Sequence, residues 1–346
     1  MYFATYFDKN YIHFFLTLYQ SLQTHCSDFV FYAVCLDDAA FERVSEKNLP
    51  NVVAVSFLEY EKTDMDLLKV KPTRSKVEYI FSSGPSILLH LFDKYPEIDL
   101  LTYLDSDLFF FDNPQYIFDE LGQHDIGIIS HKLTGWRKVY EKYGIYNVGW
   151  VSFRRSIAGL ACLEQWRDDC LDWCYDKVEP TRFADQKYLD KWQAQFPTLK
   201  VIEQIGANLA PWNVGDYKLT MNDEQLTPDN RGVHRSSFIV HRSKIQQPLV
   251  FYHFSSLKQR KAWLFTTGTS MYRFRMSGIL RHSIYGAYIP ALQKNLLAEQ
   301  GARPALNKRR QKTKFDFAFF NRENFSTFFK KLFFPDYIFF RNGKVF

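Results

Sequence analysis

Two carboxylates stand one residue apart near position 105, between two largely apolar runs. The run at 100–104 is followed by Asp105, Ser106 and Asp107, and apolar residues return at 108–111. Side chains alternate between the two faces of an extended segment, so Asp105 and Asp107 are predicted to point the same way. Two carboxylates about 4 Å apart repel each other by roughly 4 kcal/mol at an effective dielectric constant of about 20. The pair therefore indicates a bound divalent cation, or one carboxyl group that stays protonated.

The place of this pair in the sequence indicates what the cation would hold. Ligands usually bind at the carboxyl ends of the strands in an α/β sheet. At such a position the pair is typical of a binding site for a divalent ion that bridges phosphate groups. Alternatively, the two acids only cap a helix that begins near Pro114. Asp112 and Asn113 are better placed as caps, which favours the metal hypothesis.

Four further residues suit ligand binding. Asn147 and Gly149 place an amide and a bare backbone at the start of a predicted strand, which is useful where a sugar ring must approach closely. Asp185 and Gln186 open a predicted helix, as a hydroxyl-binding corner would. A plain helix N-terminus explains Asp185 equally well.

A histidine ends another apolar strand, and a lysine follows five residues later. His253 with Lys258 comes after a polar and aromatic loop at 208–213, to which no role is assigned. A lone histidine at a strand end is more often structural, but an Asp-x-Asp elsewhere and a nearby lysine favour a ligand role. Two carboxylates and one imidazole, with phosphate oxygens in the remaining positions, suit Mn²⁺ or Mg²⁺ better than structural zinc.

The elements that must position these groups follow a strand and helix alternation. Ser75 and Glu78 form a capping box that opens a helix to about Lys94, bent at Pro85. Strands are predicted at 2–7, 29–36, 52–58, 126–130, 148–153, 199–202, 237–240 and 249–252, and helices at 156–175 and 184–194. The fold class is therefore α/β, with a mixed, mostly parallel sheet flanked by helices.

Length and composition place the chain among soluble, unexported proteins. With 346 residues, of which 46% are hydrophobic, it can bury a large core, and we expect one large domain with an appendage. It begins with a strand-like segment rather than a basic leader and a long apolar stretch. Five cysteines without a Cys-x-x-Cys pair indicate a reducing cytosol. Cys170 and Cys174 could ligate zinc, but without nearby histidines we expect buried apolar residues.

The positive charge is concentrated near the C-terminus. Residues 303–346 carry eleven Lys or Arg against three acids, which gives +8 and leaves −2 for residues 1–302. The main part of the chain thus lacks the excess of positive charge that is typical of nucleic-acid-binding proteins. We therefore expect no nucleic-acid partner. A basic, Phe-rich amphipathic helix is predicted at 325–333, which either lies on an anionic membrane surface or packs on the main domain. No apolar run reaches the ~18 to 20 residues that span a bilayer.

In the order of its motifs the chain resembles the nucleotide-sugar glycosyltransferases of family 8, such as glycogenin and the bacterial lipooligosaccharide galactosyltransferases. The motifs are Asp105-Ser106-Asp107, Asn147-x-Gly149, Asp185-Gln186 and His253 with Lys258. The similarity is greatest to a bacterial polysaccharide-biosynthesis branch. It covers about residues 1–258 and implies a GT-A (Rossmann-like) catalytic domain there. It also implies a nucleotide-diphosphate sugar donor, a divalent metal and retention of anomeric configuration. The composition of the rest of the chain predicts a helical, Phe-rich basic region at 259–346.

The resemblance also implies a role for each matching residue. The metal would be held by Asp105, Asp107 and His253. The nucleotide and donor would be contacted by Thr5, Asp8, Lys76, Ser106, Gly149 and Lys258. Asn147, Asp185 and Gln186 would surround the donor sugar as the catalytic group. The family usually has a glycine three residues after the metal histidine and a lysine six after it, whereas this chain has Ser256 and Lys258.

The chemistry of the transfer leaves two routes open. A departing nucleoside diphosphate gains negative charge, which a metal ion and Lys258 would stabilise. A covalent intermediate needs a carboxylate or amide on the opposite face of the sugar, for which Asp185 and Gln186 are candidates. A front-face route, in which the leaving phosphate deprotonates the acceptor, needs neither as nucleophile.

Two other functions fit parts of the sequence. A phosphatase of the haloacid dehalogenase type also uses Asp-x-Asp, but usually at the first strand, with Thr soon after it. A non-catalytic membrane-surface adaptor built on the C-terminal segment would leave the metal constellation unexplained. We therefore expect a metal-dependent glycosyltransferase that acts on a glycan or lipid-linked acceptor. We expect it in the cytoplasm, peripheral on the inner face of the plasma membrane through its C-terminal region.

Overall fold

The structure, a computed structural model, describes residues 1–222, 237–301 and 336–346. The predicted amphipathic helix at 325–333 lies outside these residues, as does most of the basic segment. Within the described ranges, none of the helices combines the length and the apolar character needed to cross a membrane.

Strands and helices alternate through the first 200 residues. The helices are α1 (Ile12–His25), α2 (Asp38–Glu46), α3 (Phe57–Glu61), α4 (Met65–Val70), α5 (Lys76–Lys94), α6 (Gln115–Leu121), α7 (Ile157–Asp172), α8 (Trp192–Gln195) and α9 (Tyr285–Gly301). The first eight strands are β1 (Tyr2–Phe7), β2 (Val30–Cys35), β3 (Val52–Ser56), β4 (Leu100–Leu104), β5 (Leu108–Phe110), β6 (Ile126–Ser130), β7 (Tyr146–Arg154) and β8 (Leu199–Ile202). The later strands are β9 (Lys218–Asn222), β10 (Ser237–Arg242), β11 (Ile245–Pro248), β12 (Phe251–His253), β13 (Lys258–Lys261), β14 (Leu264–Thr266), β15 (Tyr337–Arg341) and β16 (Lys344–Val345).

Seven strands form the main sheet, in the order β3-β2-β1-β4-β7-β6-β8. Strand β7 runs antiparallel to β4 and β6, and the other neighbours are parallel. The predicted mixed, mostly parallel α/β class is therefore confirmed. Because β7 is reversed, its first residues lie at the edge where the parallel strands end, with Leu104 opposite Trp150.

Helices cover both faces of this sheet. Side chains of α5 and α7 pack on one face, and those of α1, α2 and α6 pack on the other. The predicted capping box is present: the Ser75 hydroxyl accepts from the Glu78 amide, and the Ser75 amide donates to Glu78 at 2.8 Å. It starts α5 at the same edge of the sheet as the ends of the parallel strands. All five cysteines are buried free thiols.

One predicted helix differs from the structure. The helix expected at 184–194 is a 3-10 turn at Gln186–Lys191 followed by the four-residue α8. Ala184 immediately before it has φ +45°, a left-handed conformation that alanine rarely adopts. That residue prevents a regular helix from starting at Asp185 and turns the chain at this point.

The region after Lys258 contains strands as well as a helix. Its described part forms a four-stranded antiparallel sheet in the order β13-β14-β15-β16, so the expectation of a purely helical region is incomplete. Helix α9 packs on α1, where Asn295 donates to Thr17 at 3.0 Å. The rings of Phe254 and Tyr288 stack 3.7 Å apart. The two predicted regions thus share one apolar core.

Gly215 lies where the C-terminal region closes on the rest of the chain. A Cβ atom at this position would lie 1.9 Å from the ring of Phe274. We expect Gly215→Ala to lower the free energy of unfolding by about 1 to 3 kcal/mol, because the ring must move. Gly278→Ala is the matched control, since a Cβ there meets open space. Urea unfolding checks the pair, and equal stability of the two variants would contradict this packing.

Candidate functional site

Asp105, Ser106 and Asp107 form the turn between β4 and β5. The Leu108 amide donates to the Asp105 carbonyl at 3.3 Å, so the segment is not extended, and the alternation argument for its two carboxylates is wrong. The carboxylates nevertheless converge. Strand β5 pairs with β12, with Leu108 opposite His253. This ladder brings Nε2 of His253 to 3.1 Å from Asp107 Oδ1 and 3.5 Å from Asp105 Oδ2.

These three side chains could hold a metal ion. Their ligand atoms all lie within 4.8 Å of one another. Neighbouring ligands in an octahedral shell with bonds of about 2.1 Å are roughly 3 Å apart, close to the two distances from His253. Two hard carboxylates and one imidazole suit Mn²⁺ or Mg²⁺. The residues present therefore fit the predicted cation.

The charges of this group depend on one another. Burial raises the pKa of Asp105, the nearby His253 imidazole lowers it, and Asp107 raises it further, so the net shift is upward. Burial alone would lower the pKa of His253, but Asp107 and Asp105 raise it above its ordinary value. Without a cation, a proton on His253 thus offsets part of the repulsion between the two acids.

Neighbouring aromatic rings fix the direction of the ligands. The Tyr103 hydroxyl donates to Asp105 Oδ1 at 2.8 Å, and its ring stacks on Tyr6 at 5.0 Å. On the other side, the edge of Trp212 meets the His253 ring at 5.2 Å. The ligands are therefore held by buried groups rather than by solvent-exposed contacts.

Gly149 gives the histidine its space. A Cβ atom on Gly149 would lie 2.8 Å from Cε1 and 2.9 Å from Nδ1 of His253. The Gly149 carbonyl also accepts from the Asp105 amide at 3.1 Å, so one residue contacts two candidate ligands. Its amide in turn donates to the Asn147 side chain.

The three residues predicted to surround the sugar are close together. The Asn147 amide donates to Gln186 Oε1 at 3.2 Å, and Gln186 Nε2 donates to the Tyr143 carbonyl at 3.0 Å. Asp185 is only 3% exposed. Burial, with a contribution from Asp105, raises the pKa of its carboxyl to about 7.

The residues predicted to contact the nucleotide and the diphosphate occupy different positions. Lys76 at the start of α5 pairs with Asp8 after β1 at 2.6 Å. Burial alone would raise the pKa of Asp8, but hydrogen bonds from Lys76 and Asn10 lower it. Thr5 is fully buried, with its hydroxyl 2.9 Å from that of Ser106. Lys258 is exposed at the start of β13 and does not line the cleft, so its diphosphate contact stays a prediction.

A cleft of about 850 Å³ runs over the candidate metal ligands and the residues predicted to surround the sugar. The sheet order places Asp8 and Leu36, after β1 and β2, on one side of Asp105 and Asp107. Asn147 in β7 and His131 after β6 lie on the other side. The cleft therefore crosses the carboxyl edge of the sheet, with the candidate metal ligands near its middle.

Sequence reasoning missed His131 and the role of Trp212. Both line the cleft, and their rings meet at 5.1 Å. Burial lowers the pKa of His131 to about 4, so its imidazole is neutral near neutral pH. The loop at 208–213 fixes both residues, because the buried Asn213 donates to the carbonyls of His131 and Asn208 at 3.0 Å. His131 directly follows a predicted strand, as Asp105 does. That position could have identified it as a candidate site residue.

Comparison with known proteins identifies two close relatives by sequence. No family model matches the chain. The uncharacterized protein YfnD of Bacillus subtilis (strain 168) is 31% identical over 256 residues, which are 73% of this chain and 76% of YfnD. The uncharacterized protein YfnF of the same strain is 31% identical over 253 residues, which are 70% of this chain and 77% of YfnF.

Solved structures with a similar backbone are glycosyltransferases by description. The galactosyltransferase LgtC with donor and acceptor sugar analogues has a TM-score of 0.46 at 15% identity, over 89% of this chain and 98% of that one. The apo form of glycosyltransferase GlyE from Streptococcus pneumoniae TIGR4 has a TM-score of 0.41 at 14% identity, over 61% and 47%. Mouse xyloside xylosyltransferase 1 has a TM-score of 0.38 at 12% identity, over 58% and 84%.

Replacing Gly149 should impair cation binding without unfolding the chain. The Cβ of Gly149→Ala would lie 2.6 Å from Asn147 Oδ1 and 2.8 Å from the His253 ring, so both side chains must move. We therefore expect Mn²⁺ to bind at least about tenfold more weakly, a loss of roughly 1.4 kcal/mol. Isothermal titration calorimetry measures the affinity, and circular dichroism checks the fold. Gly286→Ala in α9, where a Cβ makes an ordinary contact, is the control. Unchanged Mn²⁺ affinity in Gly149→Ala would contradict a cation site that depends on the close approach of His253 to Gly149.

Asp185 should make the metal-free protein less stable as the pH rises. The folded state keeps the Asp185 proton up to about pH 7, whereas the unfolded chain releases it near pH 4, so stability falls through this window. Asp185→Asn should therefore add up to about 4 kcal/mol at pH ~8 and little near pH ~4. Urea unfolding in EDTA tests this, with Asp168→Asn, whose side chain is 78% exposed, as control. The same gain at both pH values would contradict the assignment.

Proposed function

Since this chain belongs to the same protein family as YfnD and YfnF of Bacillus subtilis, which are described only as uncharacterized, we propose its activity from its cleft. It is a metal-dependent glycosyltransferase that moves a sugar from a nucleotide-diphosphate sugar to a glycan or lipid-linked acceptor. The proposal rests on one observation: the convergence of Asp105, Asp107 and His253 in a cleft that also contains Asn147 and Asp185.

Acidic and basic side chains of this chain have different roles at the nucleotide and diphosphate of the donor. Asp105, Asp107 and His253 hold Mn²⁺ or Mg²⁺, which when bound neutralises charge on the diphosphate leaving group. Lys76 stands at the rim of the cleft, already paired with Asp8, where it can approach a nucleotide. We retain Lys258 as a second contact to the diphosphate, which would require it to approach the cleft from β13.

Asp185 and Gln186 face the sugar. Asp185, whose proton is retained partly because of the charge on Asp105, would ionise more readily if a cation were held beside Asp105. The Asp185 carboxylate can stabilise positive charge at the anomeric carbon or attack it, while the amides of Asn147 and Gln186 hold hydroxyls in place. The resemblance of these residues to family 8 supports retention of the anomeric configuration, and both routes to retention stay open.

The phosphatase alternative receives less support from the site. An aspartate that attacks phosphorus needs a free oxygen, whereas Asp105 accepts from Tyr103 with one oxygen and faces His253 with the other. Asp107 also faces His253. Asp105 is therefore arranged as a ligand rather than as a nucleophile.

We further propose that the enzyme acts in the cytoplasm, where a basic C-terminal region can meet an anionic membrane. Truncation after residue 302 would be a poor test of that region. Strand β15 pairs with β14, and Arg281 donates to the Tyr337 carbonyl at 2.8 Å. Removal of the C-terminal strands would therefore damage the fold itself, so charge substitutions are the better test.

The activity has a specific expected product. Incubated with a panel of nucleotide-diphosphate sugars and Mn²⁺, the protein should release nucleoside diphosphate, and inorganic phosphate should not appear. Asp107→Asn should lower kcat/KM at least about a hundredfold, roughly 2.7 kcal/mol, because a metal ligand is lost. Asp168→Asn, at an exposed site away from the cleft, should match the wild type.

The product analysis separates the alternatives. NMR of the first-formed sugar product should give the anomeric configuration of the donor. Clean inversion would overturn retention but leave transfer intact. Release of inorganic phosphate, or turnover that is unaffected by EDTA, would contradict the metal-dependent transferase.

A further inference from the structure

The four-stranded sheet of the C-terminal region has one buried and one outward face. Phe265, Ile338 and Val345 point into the core that surrounds α9. Side chains alternate along a strand, so Phe339 and Arg341 on either side of Phe340 point outward. The Arg260 side chain donates to Thr266 and lies on the same outward face.

Large aromatic rings stand on this outward face. Trp263 is 48% exposed and Phe339 is 50% exposed. Their rings are parallel, at 7°, with centroids 6.0 Å apart. The Phe340 amide donates to the Trp263 carbonyl at 2.9 Å, so the backbone fixes the pair. Two adjacent, half-exposed aromatic rings form an apolar patch that water solvates poorly.

Basic residues surround the rings. Residues 258–275 and 337–346 include seven Lys or Arg and no acidic residue. The exposed part next to the rings is here named the basic aromatic face, and it consists of Arg260, Lys261, Trp263, Phe339, Arg341 and Lys344. Its composition combines positive charge with apolar rings on a rigid, hydrogen-bonded sheet.

We propose that the basic aromatic face docks on an anionic lipid bilayer. Lys and Arg are attracted to the negative surface potential of acidic lipids, and Trp or Phe side chains enter the interfacial layer beneath the headgroups. A soluble polyanion would use the four cations but would gain little from two exposed rings. The rings therefore favour the bilayer over a free polymer.

The docking surface is connected to the cleft. Strand β13 begins five residues after His253, and Met271 and Tyr272, shortly after β14, line the cleft. Docking through this face therefore holds the cleft close to the lipid surface. On the proposed function, that position suits an acceptor carried by a lipid, but the docking itself does not depend on the enzyme's activity.

Vesicle sedimentation with the full-length protein tests the proposal. The protein should bind vesicles of three parts phosphatidylcholine to one part phosphatidylglycerol, and bind pure phosphatidylcholine poorly. Binding should fade in salt of about 0.5 M, where charges are screened within a few ångströms. The triple variant Lys261→Glu, Arg341→Glu, Lys344→Glu should bind at least about tenfold more weakly. The double variant Trp263→Ala, Phe339→Ala should also bind more weakly, with its salt dependence kept.

A matched control distinguishes the effect of where the charges lie from the effect of the net charge of the protein. Lys62→Glu, Lys69→Glu, Lys94→Glu reverses the same charge at exposed sites on other elements and should bind as the wild type does. Circular dichroism and the melting temperature confirm folding of each variant. Normal binding by the first triple variant, equal loss in the control, or no binding by the wild type would overturn the proposal. Loss of vesicle binding in the charge variant alone, with no effect of the ring variant, would show that the rings do not enter the bilayer and would also overturn the proposal.

Discussion

The cleft depends on a concentration of negative charge that the chain alone does not neutralise. Asp105 and Asp107 share one turn, and Asp185 is buried near enough for Asp105 to raise its pKa. Like charges at such separations repel by several kcal/mol, and burial removes the water that would screen them. Protons on His253 and Asp185 offset this repulsion when no cation is present. The site is therefore suited to a positive ion. Without one, protons on its own titrating groups reduce the repulsion.

Backbone pairing, rather than local sequence, brings the charges together. The β5 and β12 ladder sets His253 against the turn of Asp105 and Asp107, although the histidine is almost 150 residues away in sequence. The reversed strand β7 places Gly149 beneath both groups. An error of one residue in either register would turn a ligand to the opposite face. The geometry of the site is thus as stable as the hydrogen-bonded sheets that carry it.

Regular periodicity made much of the fold predictable. The strands at 2–7, 126–130 and 199–202 and the helix after Ser75 lie where the sequence pattern placed them. Details that depend on long-range contacts were not accessible. Alternation suggested an extended Asp105 segment, but hydrogen bonding makes it a turn. No local rule connects Asn213 to His131, or shows that Lys258 begins an exposed edge strand. The sequence identified the residues that could bind a cation, but it did not identify the groups that contact those residues.

The charge balance also couples cation and donor binding in the proposed reaction. A nucleoside diphosphate that entered the cleft alone would meet the carboxylates of Asp105, Asp107 and Asp8. Lys76 at the rim and the proton on His253 would offset part of that negative charge. Asp105, Asp107 and His253 would hold a divalent cation here, which would offset the charge of the two carboxylates and attract the phosphates. On the proposed function, donor affinity should therefore rise with the concentration of the cation. The same charge would favour the ionised form of Asp185, so on the proposed function its carboxylate is more fully charged near neutral pH when the leaving group is also stabilised.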